Sequence, residues 1–164
     1  MNTLGVDNGV SGALCLINER GGLSVMRLMP IQTARKGNEI DVVTLKHWLE
    51  DHGITSDNTR VIIEEPGGSK SAKAGASMAG SFHALRALFV LRHFSLHRVT
   101  PQAWQKKVLG KTSGDSKAMA LTTARQLWPD EGWLPSDRCR VPHDGLIDAA
   151  LIGLFGWYQS KSNL

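Results

Sequence analysis

The chain has 164 residues, 41% of them hydrophobic and 21% charged, which suits one compact domain over residues 1–164 with a real core rather than a disordered or low-complexity chain. Nineteen Lys and Arg stand against fifteen Asp and Glu, and the net charge of +4 favours a polyanionic partner. No signal peptide and no membrane segment are expected, because the N-terminus lacks a basic-then-apolar pattern and no apolar run approaches the ~20 residues that cross a bilayer. Cys15 and Cys139 have neither metal-site nor redox-pair spacing, so the expected setting is a reducing cytoplasm.

In chain order, Asn2 to Asp7 is a short apolar strand, followed by the turn residues Asn8-Gly9-Val10-Ser11-Gly12 and a second apolar strand, Ala13 to Ile17. Arg20-Gly21-Gly22 breaks the pattern before Leu23 to Met29, and these hairpin-like connections predict an antiparallel meander. Gln32 to Asn38 is polar and basic and reads as an exposed loop. Asp41 caps the next segment, in which Val42, Leu45, Trp48 and Leu49 recur at helical spacing until Gly53. Arg60 to Glu64 is a short β-branched strand, and the strand–helix–strand order adds it to the sheet in parallel.

Gly67 to Ala79 is rich in Gly, Ser, Ala and Lys and reads as a mobile, substrate-facing loop. Phe82 to Leu91 is apolar enough for a buried helix that supplies core and dimer contacts. Phe94 to Val99 is a fifth strand, ended by Thr100-Pro101, which caps and opens a short helix to Val108. After Gly110-Lys111-Thr112-Ser113-Gly114, Asp115 or Ser116 starts a helix with Ala118, Leu121, Ala124 and Leu127 on one face. A last helix begins near Pro142 and ends near Tyr158.

Four acids sit at the ends of apolar segments or within them: Asp7 after Leu4-Gly5-Val6, Glu64 after Val61-Ile62-Ile63, and Asp144 and Asp148 in the last helix. An ionised carboxylate in apolar surroundings is strongly disfavoured unless a cation or hydrogen-bond donors compensate. Asp7 also suits a turn, and Asp144 suits the first turn of a helix, where the macrodipole favours an acid. Asp148 has no such account, since it lies a full turn further in, beside Ile147, Ala149 and Ala150. Four residues advance a helix by about 6 Å and return nearly to the same face, so Asp144 and Asp148 address one site. Strand alternation points Glu64 and Glu65 to opposite faces: Glu64 continues the Ile62 face and Glu65 the Val61 and Ile63 face, and either can be the inward one. Carboxylates gathered in this way suit Mg²⁺ together with substrate phosphates, and hence phosphodiester cleavage.

The lysines Lys70, Lys73, Lys106, Lys107, Lys111 and Lys117 follow the acidic strand ends or border the Gly/Ser loop, where contact with DNA phosphates is geometrically sensible. His143, beside Asp144, reads first as a surface residue at a helix start and second as a ligand or proton shuttle. Trp104 reads as core rather than as a base-stacking residue.

The order of these elements resembles the RuvC family of Holliday junction resolvases in the RNase H-like superfamily, and its phage-type members in particular. The resemblance rests on Leu4-Gly5-Val6-Asp7-Asn8-Gly9-Val10-Ser11-Gly12, Val61-Ile62-Ile63-Glu64-Glu65-Pro66, Asp144 to Ile152, and Val99 to Lys107 with Lys117 downstream. It selects Glu64 over Glu65, and it implies an α/β fold with a mixed five-stranded sheet, three antiparallel strands then two parallel, flanked by helices. It further implies two Mg²⁺ or Mn²⁺ ions per site held by Asp7, Glu64, Asp144 and Asp148, with Lys107 or Lys117 at the scissile phosphate. The expected activity is nicking of four-way and other branched DNA by a homodimer, leaving 5′-phosphate and 3′-hydroxyl ends. An RNA-processing nuclease of the same superfamily (YqgF type) and a non-catalytic junction-binding protein are the rival expectations. One departure is visible: bacterial RuvC proteins space the two C-terminal acids three apart, whereas Asp144 and Asp148 are four apart.

Overall fold

Asn2–Asp7 (β1) pairs antiparallel with Ala13–Ile17 (β2), and β2 pairs antiparallel with Leu23–Leu28 (β3). The computed structural model describes residues 1–35, 37–68, 71–110 and 115–162. A separate two-stranded ribbon, Ile31–Ala34 (β4) and Gly37–Ile40 (β5), leads into helix α1, Val42–Asp51. Thr59–Glu64 (β6) returns to the free edge of β1 in parallel, Ala72–Leu91 (α2) crosses over, and Ser95–Val99 (β7) pairs parallel with β6. The main sheet therefore has five strands in the order β3-β2-β1-β6-β7, the mixed arrangement expected. Pro101–Val108 (α3), Ser116–Leu127 (α4) and Asp144–Ser162 (α5) complete the described elements.

Period-two alternation splits the sheet into two apolar faces. Leu4, Val6, Leu14, Leu16, Val61 and Ile63 join Leu45 and Leu49 of α1 and Phe82, Leu85 and Phe89 of α2. Ala13, Cys15, Ile17 and Ile62 turn the other way, toward Trp104 of α3, Ala120 and Ala124 of α4, and the buried run of α5. The capping expectations hold: the Asp41 carboxylate accepts from Val43 and Thr44 N–H, Thr100 Oγ1 accepts from Ala103 N–H, and Asp115 caps α4.

Glycines let α5 lie directly on β1. A Cβ on Gly5 would stand 2.1 Å from Ala149 O and 2.3 Å from Gly153 N, and one on Gly156 would stand 2.3 Å from Ile62 Cγ1. Helix and strand thus touch backbone to backbone, so the helix that carries Asp144 and Asp148 has no slack against the strand that ends in Asp7. Gly5→Ala is expected to destabilise the fold by about 3 kcal/mol, because the obstructing atoms are main chain that cannot rotate aside; the urea midpoint of the variant measures this.

Three expectations need correction. Gln32 to Asn38 is not a loop but most of the β4–β5 ribbon, closed at its base by Asp41 N–H to Pro30 O at 2.9 Å and across its middle by Gln32 to Glu39 at 2.9 Å. Both of its faces are largely exposed, so no apolar alternation marks it. Most of Gly67 to Ala79 is also not a loop: α2 begins at Ala72, where the Ser71 hydroxyl accepts from Ala74 N–H, and its first turns are built from alanines with high helix propensity. Extended to 20 residues, α2 is long and apolar enough, by length and composition, to cross a membrane, which the segment Phe82 to Leu91 alone is not. Finally, α5 runs to Ser162, one turn past Tyr158.

Candidate active site

Each sheet face delivers its acids by register. Thr3, Gly5 and Asp7 alternate to the α5 side of β1, and Ile62 and Glu64 do the same on β6. Val6 pairs with Ile63, so Asp7 and Glu64 each follow that pair at the same end of neighbouring strands. Glu65 turns away, its carboxylate 3.4 Å from Arg98 Nε and its N–H on Val99 O. On the other side of the site, α5 starts at Asp144 and presents Asp148 one turn later. A Cβ on Gly145 would sit 3.0 Å from Asp7 Oδ2 and 2.8 Å from Ser11 O. The bare glycine therefore admits the Asp7 carboxylate to the first turn of α5, a role that spacing alone did not reveal.

The four acids feel one another. Burial, then Glu64, Asp148 and Asp144, hold the Asp7 carboxyl well above the usual carboxylate range. Burial, then Glu64 and Asp144, push Asp148 up to about 7, with Lys117 opposing. Glu64 is raised by burial and drawn back by a hydrogen bond from Trp104. Asp144 is exposed and receives Lys117 Nζ at 2.5 Å, and this contact raises the lysine's own affinity for its proton. Among the described residues no cation pairs with Asp7, Glu64 or Asp148. Nor do three Asp, Glu, His or Cys groups among them close up tightly enough to hold one ion as the side chains stand.

Trp104 is the residue whose role the sequence reading missed. It is 1% exposed, as core packing requires, and its indole N–H donates to Glu64 Oε1 at 3.1 Å. A buried indole N–H usually finds an acceptor, and here the acceptor is one of the four acids. Trp104→Phe is expected to cost about 2 kcal/mol from lost volume and the lost hydrogen bond while leaving a cooperative fold; denaturant unfolding checks it.

The predicted lysines separate. Lys117 reaches the acids. Lys73 is exposed in the first turn of α2, beside a groove of about 340 Å³ whose walls include Asp7, Asn8, Ser11, Ala74, Ser77 and Met78. Asn8 closes that groove by donating Nδ2–H to Met78 O at 3.3 Å, and its buried Oδ1 has no partner among the described residues. Lys106 is exposed on α3. Lys107 lines a different groove with Arg60 and His97; Arg60 lies four strand residues before Glu64, about 13 Å along β6. Of the two alternatives for the scissile phosphate, the structure brings Lys117 to the acids and sets Lys107 in this other groove. Lys70 and Lys111 lie outside the described residues. His143 N–H donates to Trp133 O at 2.8 Å, and the His143 carbonyl accepts from Leu146 and Ile147 N–H, so its backbone serves the start of α5.

No family model and no curated protein sequence matches the chain. Solved structures do. Thermus thermophilus RuvC in complex with a Holliday junction substrate superposes with a TM-score of 0.62 at 14% identity, covering 98% of this chain and 96% of that one. A second Thermus thermophilus RuvC structure gives a TM-score of 0.64 at 15% identity, covering 99% of this chain and 97% of that one. The likeness runs the length of both chains and is one of fold.

Proposed function

We propose that this RuvC-like fold belongs to a metal-dependent, structure-selective endodeoxyribonuclease of the phage type, which nicks Holliday junctions and other branched DNA. The observation that carries the reading is the convergence of Asp7, Glu64, Asp144 and Asp148, from two strand ends and one helix, at one end of a fold shared with a protein seen on junction DNA.

The donor chemistry fits Mg²⁺ or Mn²⁺: every candidate ligand is a carboxylate oxygen, and three of the four acids have no cationic partner among the described residues. Asp7, Glu64, Asp144 and Asp148 would hold the ions, two per site. A metal pair bound there supplies an activated water and positive charge for the leaving 3′ oxygen. The chain's own groups do the rest. Trp104 fixes one Glu64 oxygen, Asp144 holds Lys117 where it can meet a backbone phosphate, and Lys73 extends the cationic border along α2. Because resolving a four-way junction takes two symmetric cuts, the working form is a homodimer with one site per copy.

The experiment is cleavage of a synthetic four-way junction beside a linear duplex of the same sequence and a structured RNA, with and without Mg²⁺. Metal-dependent nicking of the junction with 5′-phosphate ends is expected. Equal cutting of the duplex, preference for the RNA, or binding without cutting would overturn the proposal.

A further inference from the structure

Arg60 occupies an unusual place for a guanidinium. It is the second residue of β6, on the α5 side of the sheet at the end opposite the acids, and is partly buried. Its Nε–H donates to Thr3 Oγ1 at 3.1 Å and its Nη2 to the Gly156 carbonyl. A guanidinium carries more N–H donors than these two acceptors use. Among the described residues neither Arg60 nor Lys107 forms an ion pair.

Two grooves of about 460 Å³ each meet at this side chain. One is lined by Arg60, His97, Lys107, Phe155, Gln159 and Ser162, and the other adds Arg20 and Lys161. The acid on the second groove, Glu19, stands 3.6 Å from the α-amino group of Met1. The last turns of α3 and α5 offer partial negative charge to Lys107 and Lys161, which explains cations at helix ends. They do not explain a partly buried guanidinium on a strand, which burial alone disfavours.

We propose that the groove shared by Arg60, His97 and Lys107 binds a phosphate group. The fork of Arg60 matches two phosphate oxygens, Lys107 adds a flexible point charge, and the Gln159 amide supplies a neutral donor at the rim. The site is remote from the acids: Gln159 lies eleven residues beyond Asp148 on α5, about 16 Å along the helix. It therefore does not depend on the nuclease reading. The phosphate is either a free one, as in a small phosphorylated molecule, or one of a nucleic-acid backbone passing behind the sheet.

Two titrations of the intact protein in metal-free, low-salt buffer separate these sources, each followed by amide NMR: one with inorganic phosphate, one with a short unbranched duplex. Saturable shifts are expected at His97, Gln159 and Ser162, with affinity lowered about tenfold in Lys107→Ala and in Arg60→Gln. Arg60 also ties β6 to α5, so Lys107→Ala, which alters only an exposed side chain, keeps the test valid if Arg60→Gln unfolds. Saturation by phosphate alone assigns a small phosphorylated ligand, and saturation by the duplex assigns a backbone contact. Absence of saturation in both titrations, or equal affinity in wild type and Lys107→Ala, overturns the site. Junction cleavage is read separately, so either outcome leaves the nuclease proposal to its own test.

Discussion

Asp148→Asn is expected to lower junction nicking by on the order of 10³-fold or more, the scale seen when one member of a catalytic set that acts as a unit is lost. The same substitution should leave folding and junction binding intact. Asn keeps the shape of Asp and removes a carboxylate that stands among Glu64 and Asp144 in a largely buried position. Without metal the variant should be more stable than the wild type above about pH 7, because a repelled and desolvated charge has gone. The combination of lost activity and gained stability separates a functional acid from a structural one. Full metal-dependent nicking by Asp148→Asn would sink the proposed site, and a lower melting temperature at pH 8 would sink the electrostatic account of it.

The second large effect is on pH and metal together. Asp148 has a value of about 7 in the folded protein against 3.8 for the ordinary group, and Asp7 is raised in the same direction. An acid raised on folding binds more protons in the native state, so its contribution to stability is present below about pH 4 and is lost as pH rises through about 7. For Asp148 this amounts to roughly 4 kcal/mol, or about 10 °C in melting temperature for a chain of this size. Asp41, held low mainly by the Thr44 hydroxyl, and Glu50, held low mainly by Lys46, act in the opposite sense, but only as pH falls below the ordinary carboxylate range. Metal-free protein should therefore melt progressively lower from pH 5 to pH 8. Saturating Mg²⁺ should remove that fall, because it stabilises the ionised acids that the fold otherwise resists. Thermal melts across this range with and without Mg²⁺ make the measurement, and a flat profile that ignores the metal would count against the acids as its ligands.

Much of this arrangement is written locally in the chain, and the rest depends on contacts that no window of sequence contains. Asp148 stands out because neither a cap nor a helix dipole accounts for it. The strands and caps are legible because Val61-Ile62-Ile63 and Thr100-Pro101 have few alternatives. The choice between Glu64 and Glu65 is different. Alternation says that they oppose each other, but only the packing of α5 through Gly5 and Gly153 decides which face holds the other acids. The β4–β5 ribbon escaped detection because its strands bury almost nothing but Ile40. Alanine and serine in the first half of α2 look like loop material until the helix is seen capped at Ser71. Lys107 looks equivalent to Lys117 along the chain, yet α3 carries it to the groove of Arg60 and His97 while α4 carries Lys117 to Asp144. Trp104 was legible as buried, but not as the donor that steadies Glu64.

The backbone-on-backbone seam between β1 and α5 also bears on when the molecule becomes competent. Asp7 and Asp144 are separated by 137 positions (144 − 7), so during synthesis the first acid leaves the ribosome long before its partners on α5 exist. Contacts of such long sequence separation form late, after the intervening loops have closed. Until α5 settles into the glycine-lined seam, Asp7 and Glu64 are two strand-end acids without the remainder of their set. If the proposed nuclease activity holds, a nascent or partly folded chain would be unable to cut nucleic acid, and that ability would arrive only when the fold is complete.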